Sequence, residues 1–235
     1  MKPEELETLH LWVQIVGKIR TKLHPFINHW WHSALYVTPR GLTTGPIPHR
    51  DRSFEMRFDF VDHVLAIEMN DGERRTMALA PKSVAMFYAE VMDLMNSLSL
   101  PVLISTRPRE IPNPIPFDLD DVHVKYNRKR VEDFFKYLRE ADRILKVFRS
   151  GFTGKCSPVH FFWGSFDLAF SVFSGRKAPE RIDADQVTRE AYSDELISWG
   201  FWAGSGNIEA PAFYSYAAKG RSKTSPIPEA STLIR

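Results

Sequence analysis

The residues best suited to chemistry stand together in one aromatic stretch, residues 155–176 (KCSPVHFFWGSFDLAFSVFSGR). This stretch contains Cys156, which is the only cysteine of the chain, together with His160 and Ser165. Asp167 is its single internal charge. An unpaired carboxylate buried among apolar side chains is costly, so Asp167 is expected to have a partner. A binding or catalytic site is therefore predicted around Asp167.

Several reaction types can be weighed from the same residues. Cys156 follows Lys155 and precedes His160 by four residues, a spacing compatible with an activated thiolate, although a lone cysteine is also common as a small buried residue. Ser165 does not stand in a GxSxG motif, and no predicted strand is followed by a glycine-rich phosphate loop. Nucleotide hydrolysis and dinucleotide redox chemistry are therefore disfavoured.

The direction of side chains in this stretch depends on its secondary structure. As a strand, which we favour because Gly164 is poor inside a helix, it has a core face and a semi-polar face. The core face would contain His160, Phe162, Phe166, Leu168, Phe170 and Val172, and the semi-polar face Trp163, Ser165, Asp167 and Ser171. The semi-polar face would form a pocket floor. The alternatives are a helix with a phenylalanine stripe, or a plain aromatic core in which Asp167 is tied to Arg176 or to a backbone amide.

A histidine cluster near the N-terminus is a candidate metal site. His24, His29 and His32 surround Trp30 and Trp31, and a three-residue separation can place ligands on one helical turn. The established zinc spacings, HExxH and paired CxxC, are absent. We therefore predict no metal site and identify no cofactor. A metal site that acidic residues from distant segments would complete remains an open alternative.

Tryptophans flanked by short polar residues can line a pocket for a flat or sugar-like ligand, or fill a seam between sheet and helices. The leading hypothesis is a small-molecule-binding domain with an aromatic-lined pocket between the NHWWH, 155–176 and EAYSDELISWGFW segments. Its predicted ligand-binding residues are Trp31, His32, His160, Trp163, Ser165, Asp167, Arg176, Tyr192, Glu195, Trp199 and Trp202. The alternatives are an enzyme, hydrolytic or metal-dependent, that uses His32, His160 and Asp167, and a structural or protein-interaction domain.

The predicted elements describe an α+β fold, with a mostly antiparallel sheet and two or three long helices packed on it. Helical spacing covers residues 6–23, 84–98 and 128–150, the last after a predicted N-cap at Asn127. Strands are predicted at residues 34–38, 54–60, 64–69, 74–79, 102–105 and 213–217, with a hairpin at Asn70-Asp71-Gly72. Residues 107–121 contain too many prolines for either structure and are predicted to form an ordered strap.

The overall composition limits domain count and partners. With 235 residues and 43% hydrophobic content, we predict one globular domain over residues 1–218 and a flexible tail over 219–235. The 31 basic and 29 acidic residues are interleaved and leave a formal charge of +2, which disfavours nucleic acid and anionic membranes as partners. One cysteine and no apolar leader favour the cytoplasm. A small-molecule ligand and a homodimer are the partners that we expect.

Several segments together resemble a bacterial family known only as a domain of unknown function. They are NHWWH, RGLTTGPIP, FDFVDH, SPVHFFWGSFDLA, FSGR, EAYS, GFW and AFYSYA, and they cover nearly the whole chain apart from the tail. The resemblance implies a single-domain bacterial protein and implies no activity, ligand or catalytic residue. This chain has Asp194 where similar proteins often have histidine, and Ala203 where they usually have proline. A metal role for the family's histidine would require Asp194 to substitute for it.

Overall fold

The computed structural model describes residues 6–204, 210–218 and 232–234. Four α-helices lie in these ranges: α1 (Glu7–Leu23), α2 (Val84–Ser97), α3 (Arg128–Ser150) and α4 (Gln186–Ala191). The strands are β1 (Tyr36–Val37), β2 (Gly41–Thr43), β3 (Ile47–His49), β4 (Arg52–Asp59), β5 (Val64–Met69), β6 (Arg74–Ala78), β7 (His160–Phe162), β8 (Asp167–Lys177), β9 (Asp194–Trp202), β10 (Ala212–Ala218) and β11 (Thr232–Ile234). Two 3-10 turns span Asn28–Ser33 and Phe117–Leu119. Among the helices described, none is both long and apolar enough to span a membrane.

The first sheet is antiparallel and contains β1 to β6. Its order is β1-β2-β4-β5-β6, and β3 pairs with β4. In β4 the side chains of Phe54, Met56 and Phe58 are buried while the residues between them are half-exposed, as the alternation of a strand requires. The Asn70–Gly72 turn joins β5 to β6, with the Met69 N–H donating to the Glu73 carbonyl at 2.8 Å. Both features confirm the sequence prediction.

The second sheet has the order β11-β10-β9-β8-β7 and is also antiparallel. The prediction of one strand at the start of residues 155–176 is wrong, because β7 and β8 are the two arms of a hairpin. Its turn comprises residues 163–166, and Phe166 adopts a left-handed φ of 58°. The turn changes the alternation, so that Phe161 belongs to the main core with Leu168 and Phe170, whereas His160 lies on the opposite face.

Helix α1 lies at the centre of the core. Trp12 is fully buried and stacks on Phe87 of α2 at 4.6 Å between ring centroids. Polar side chains of α1 also bind the Pro-rich strap: the Lys18 ammonium donates to two carbonyls at 2.7 and 3.0 Å, and the Gln14 amide makes two 2.8 Å bonds with the backbone of Arg109. The strap is therefore ordered, as predicted. The prediction of a strand at residues 102–105 is wrong, since these residues pair with none of the described strands. The Ser105 carbonyl instead accepts from the Lys18 side chain.

Helix α3 connects the core to the second sheet. Its N-cap is Asn127, as predicted, and the Asn127 side chain accepts from the Arg130 N–H at 3.2 Å. Phe134 of α3 stacks on Phe166 of the hairpin turn, with 5.0 Å between the ring centroids. Long helices packed on antiparallel sheets confirm the predicted α+β class, with two sheets where one was expected.

Strand β9 and helix α4 were not predicted. The sequence there mixes acidic and aromatic residues and has neither helical nor strand periodicity. The last predicted strand is confirmed as β10. In the segment predicted as a tail, residues 219–231 and 235 lie outside the described residues. The backbone of β11 pairs with β10, with Leu233 opposite Tyr214.

Candidate functional site

The face of the second sheet that points away from the main core carries Asp167. The strand register places Phe162, Asp167, Trp202 and Ala212 in one row across β7 to β10. The adjacent rows contain only small residues on the two central strands, namely Ala169 with Gly200 and Ser171 with Ser198. Because directly opposed side chains share a face, this register leaves room above Gly200 for a large side chain from a neighbouring strand.

A cluster of hydroxyl groups surrounds the Asp167 carboxylate. Ser165 donates to one carboxylate oxygen and Tyr214 of β10 donates to the other. Tyr214 reaches β8 by crossing β9 above Gly200, where a Cβ atom would overlap the tyrosine ring. We call Ser165, Asp167 and Tyr214 the acid–tyrosine cluster.

The acid–tyrosine cluster holds a carboxylate with no ion-pair partner among the described residues. Burial raises the pKa of Asp167, and the two hydroxyl donors oppose that rise by stabilising the charged form. Burial and the nearby Asp167 charge raise the pKa of Tyr214 well above its usual value. The Tyr214 hydroxyl therefore stays protonated and remains a donor. A carboxyl group that takes up a proton easily, beside a fixed hydroxyl, can act as an acid or bind an oxygen-bearing ligand.

A second carboxylate approaches the cluster from the strap. The side chain of Glu110 reaches the hairpin turn, where a Cβ atom on Gly164 would meet its Oε1. The pKa of Glu110 is raised, first by burial of the carboxyl end and then by the charge of Asp167. Two carboxylates in the same region repel each other when both are ionised. This repulsion favours the state in which one of them is protonated.

Two further tyrosines continue the polar face beyond the cluster. The Tyr192 and Tyr216 hydroxyls lie 2.9 Å apart, and the ring of Tyr216 stacks on Tyr214 at 6.2 Å between centroids. Burial, and next the negative charge that Tyr192 would carry when ionised, raise the pKa of Tyr216. The Tyr216 hydroxyl therefore stays protonated at neutral pH.

His160 lies on the same face but does not contact Asp167. It is 1% exposed, and Trp31, Tyr36 and Phe162 surround its ring at 5.5–5.6 Å between centroids. Neither ring nitrogen has a hydrogen-bond partner among the residues that the structure describes. Burial lowers the pKa of His160 to about 3, so the ring is neutral at physiological pH.

The NHWWH segment forms a strained 3-10 turn at the other end of this face. His29 and Trp30 have φ values of 59° and 60°, a left-handed conformation that is uncommon for bulky residues. The buried His29 ring lies 3.4 Å from Asp194, which also pairs with Lys177 at 2.9 Å. Burial is the main reason that the pKa of His29 is lowered. These contacts fix the turn and direct Trp30 towards α4.

A cavity of about 350 Å³ lies between this turn and α4. Its lining residues are Phe26, Trp30, Glu180, Gln186, Arg189, Glu190 and Ser193. The Phe26 ring is 61% exposed and stands edge-on to Trp30 at 6.0 Å. The side chains of Glu180 and Arg189 have no ion-pair partner among the described residues. We call this space the Trp30 cavity.

The predicted site residues separate into several groups. Ser165, Asp167 and Trp202 share the polar face, while Trp31 contacts His160 and Tyr192 contacts Tyr216. His32 packs against Phe26 and Trp30. Trp163 packs against Gly17 and donates to the Ser33 carbonyl at 2.9 Å. Arg176 pairs with Glu195 at 2.6 Å and not with Asp167. Trp199 lies on the opposite face, stacked on Phe170 at 5.4 Å.

Sequence reasoning missed Tyr214, Glu110 and Arg189. The alternation in β10 could have indicated Tyr214, because it places Tyr214 and Tyr216 on one face. No local signal could have paired Glu110 with the hairpin turn, since the two are far apart in the sequence. Among the described residues, no group of three or more His, Cys, Asp or Glu side chains has an arrangement that could hold a metal ion.

One comparison with known proteins gave a match. A sequence profile described as "Family of unknown function (DUF5996)" matches residues 2–228. No curated protein and no solved structure matches the chain.

Proposed function

We propose, for a chain that belongs to the DUF5996 family of unknown function, that it binds a small charged molecule in the Trp30 cavity. The observation that supports this function is the combination, in one recess, of aromatic walls and charges of opposite sign that have no ion-pair partner in the described part of the chain. Small-molecule sites usually combine an apolar wall with a few polar groups and occupy about 300–1,000 Å³. The Trp30 cavity has this composition and lies at the small end of that range.

The lining side chains indicate which chemical groups the ligand carries. The Arg189 guanidinium offers a fork of donors to a carboxylate or phosphate. Glu180 and Glu190 offer acceptors to an amine, while the rings of Phe26 and Trp30 offer an apolar surface. A compact molecule with an anionic group and an apolar or planar part complements these side chains.

Fragment screening by NMR tests this proposal. Each of the six tryptophans has one indole N–H that can be assigned by substitution, and a ligand in the Trp30 cavity should shift the Trp30 signal. We expect carboxylate fragments to shift it in the parent protein and in Arg107→Gln, a control at another exposed arginine. Arg189→Gln should weaken the same fragments. The proposal is wrong if no fragment moves the Trp30 signal, or if both variants behave alike.

An enzyme that uses the acid–tyrosine cluster is the second candidate. A nearly buried carboxyl, held by two hydroxyls and flanked by the half-exposed rings of Phe162 and Trp202, supports it. Tyr214→Phe removes the hydroxyl and leaves the Trp30 cavity unchanged. Turnover that Tyr214→Phe abolishes, with fragment binding retained, would favour the enzyme; loss of binding instead would place the function in the cavity.

A further inference from the structure

A second and larger cavity lies between α1, α2 and residues 101–103, which follow α2. Its volume is about 610 Å³. The residues that line it are Lys22, Leu23, Tyr88, Met92, Met95, Asn96, Pro101, Val102 and Leu103. None of them lines the Trp30 cavity or belongs to the acid–tyrosine cluster. We call this space the α1–α2 cavity.

Most of the α1–α2 cavity wall is apolar and adaptable. Two methionines of α2 line it, and unbranched thioether side chains adjust to ligands of different shape. Leu103 stands at the cavity with 88% of its surface exposed. An isolated exposed leucine needs no explanation, but one that borders an apolar recess leaves contiguous surface that a ligand would cover.

The polar groups of the lining determine the charge of the ligand. Lys22 is exposed and has no ion-pair partner among the described residues. The side chain of Asn96 adds an amide donor. Burial raises the pKa of Tyr88, followed by the nearby charge of Asp118, so the Tyr88 hydroxyl also stays a donor. Among the lining residues Lys22 carries the only charge, and it is positive.

We propose that the α1–α2 cavity binds a free aliphatic monocarboxylate of medium chain length. The carboxylate would pair with Lys22, and the chain would lie against Leu23, Met92 and Leu103. This occupant follows from charge complementarity at Lys22 and from the apolar wall. The proposal concerns a site that is separate from the Trp30 cavity, so neither depends on the other.

Calorimetric titration with hexanoate, octanoate and decanoate tests chain recognition. Burial of one methylene contributes about 0.8 kcal/mol, or about a fourfold change in affinity, so decanoate should bind more tightly than octanoate and hexanoate. Decanol, which has the same chain without the charge, should bind about two- to fivefold more weakly than decanoate, as expected for an exposed ion pair. Affinities that do not rise with chain length would overturn the proposal, as would binding only above the concentration at which decanoate forms micelles.

Two variants separate the charge from the apolar wall. Lys22→Met should reduce decanoate affinity to that of decanol while it leaves decanol binding unchanged. Leu103→Asp should weaken both ligands, whereas Leu119→Asp, a control at a 67% exposed leucine outside the lining, should weaken neither. Because all three side chains are exposed, the variants should fold. Equal decanoate affinity in the parent and Lys22→Met would contradict the proposal, and so would attachment to phosphatidylglycerol vesicles without binding of monomeric decanoate.

Discussion

The hydroxyl of Tyr214 in β10 donates a hydrogen bond to the carboxylate of Asp167 in β8, and the tyrosine ring crosses the intervening strand directly above Gly200. This contact joins β8 and β10 through side chains across β9. It depends on the absence of a side chain at residue 200. The polar face and its energetics follow from this relationship.

Gly200→Ala is expected to destabilise the protein by about 1–3 kcal/mol, since overpacking displaces the Tyr214 ring. The added Cβ would also press on the Leu168 carbonyl, so the backbone cannot relieve the overlap easily. Gly151→Ala is the control, because a Cβ there meets only an ordinary contact of 3.7 Å at a φ of −76°. Urea denaturation of both variants measures the difference. Equal stability would show that Tyr214 does not lie over residue 200.

Asp167→Asn should change how stability depends on pH. The pKa of Asp167 is raised above its usual 3.8 in the folded state, so the folded protein holds the proton more tightly than the unfolded chain. The free energy of unfolding of the parent therefore falls as pH rises through the window above 3.8, with a slope of at most about 1.4 kcal/mol per pH unit. The asparagine variant should lack this decline. Denaturation curves between pH 3.5 and about 7 compare them; parallel profiles would argue against a raised pKa.

His160→Phe is expected to stabilise the protein by about 1 kcal/mol, because both ring nitrogens of His160 are buried with no hydrogen-bond partner within the described ranges. The phenyl ring keeps the contacts with Trp31 and Tyr36 and removes the unsatisfied polar atoms. Thermal melts at pH 7 measure the effect. A clear loss of stability would instead indicate that His160 binds a buried water or ligand through a nitrogen.

The sequence predicted the elements whose signals are local. The alternation at Phe54, Met56 and Phe58 and the cap at Asn127 are set by residues close in the chain, and the structure confirms them. The hairpin within residues 155–176 was missed, since its turn lacks an Asn-Gly pair and instead uses Phe166 in a left-handed conformation. Contacts with α1 and α3 stabilise that turn, and such contacts are not visible in a local pattern.

The candidate site was predicted less completely than the fold. Asp167 and Ser165 were identified because a charge among aromatics stands out in the sequence. Their partner Tyr214 depends on the register of β9, a strand that was not predicted. The unpaired Arg189 lies on α4, which was not predicted either. Register and long-range packing are set by the whole fold, so composition and spacing could not supply them.

Gly17→Ala is expected to destabilise the protein, although the same substitution usually stabilises a helix. Alanine normally stabilises a helix interior by about 1 kcal/mol relative to glycine. In α1 a Cβ on Gly17 would overlap the Trp163 ring, which is also held by its bond to the Ser33 carbonyl. We expect a net loss of about 1–3 kcal/mol and a shifted Trp163 indole signal. A stabilised variant would show that the ring moves away without cost.

His10→Gln should reduce the acid sensitivity of the protein. The His10 Nε2 lies 2.9 Å from the Gly164 carbonyl and 3.0 Å from the Trp163 carbonyl, and the ring packs at a tilt against Phe166, with 4.7 Å between the centroids. Burial lowers the pKa of His10 from 6.5 to about 4, although the two carbonyls oppose the change. The imidazole is thus held neutral against the hairpin turn.

The sign of the pH effect follows from that lowered pKa. Between pH 6.5 and about 4 the unfolded chain binds a proton at His10 that the folded protein does not, so stability is complete above 6.5 and is lost as pH falls through this window. The loss should be about 1–3 kcal/mol in the parent. Glutamine keeps an N–H donor for the carbonyls but does not titrate, so urea denaturation at pH 7 and at about pH 4.5 should show a smaller difference for the variant. An unchanged difference would assign the acid sensitivity to other groups, among which His160 has the pKa lowered furthest, to about 3.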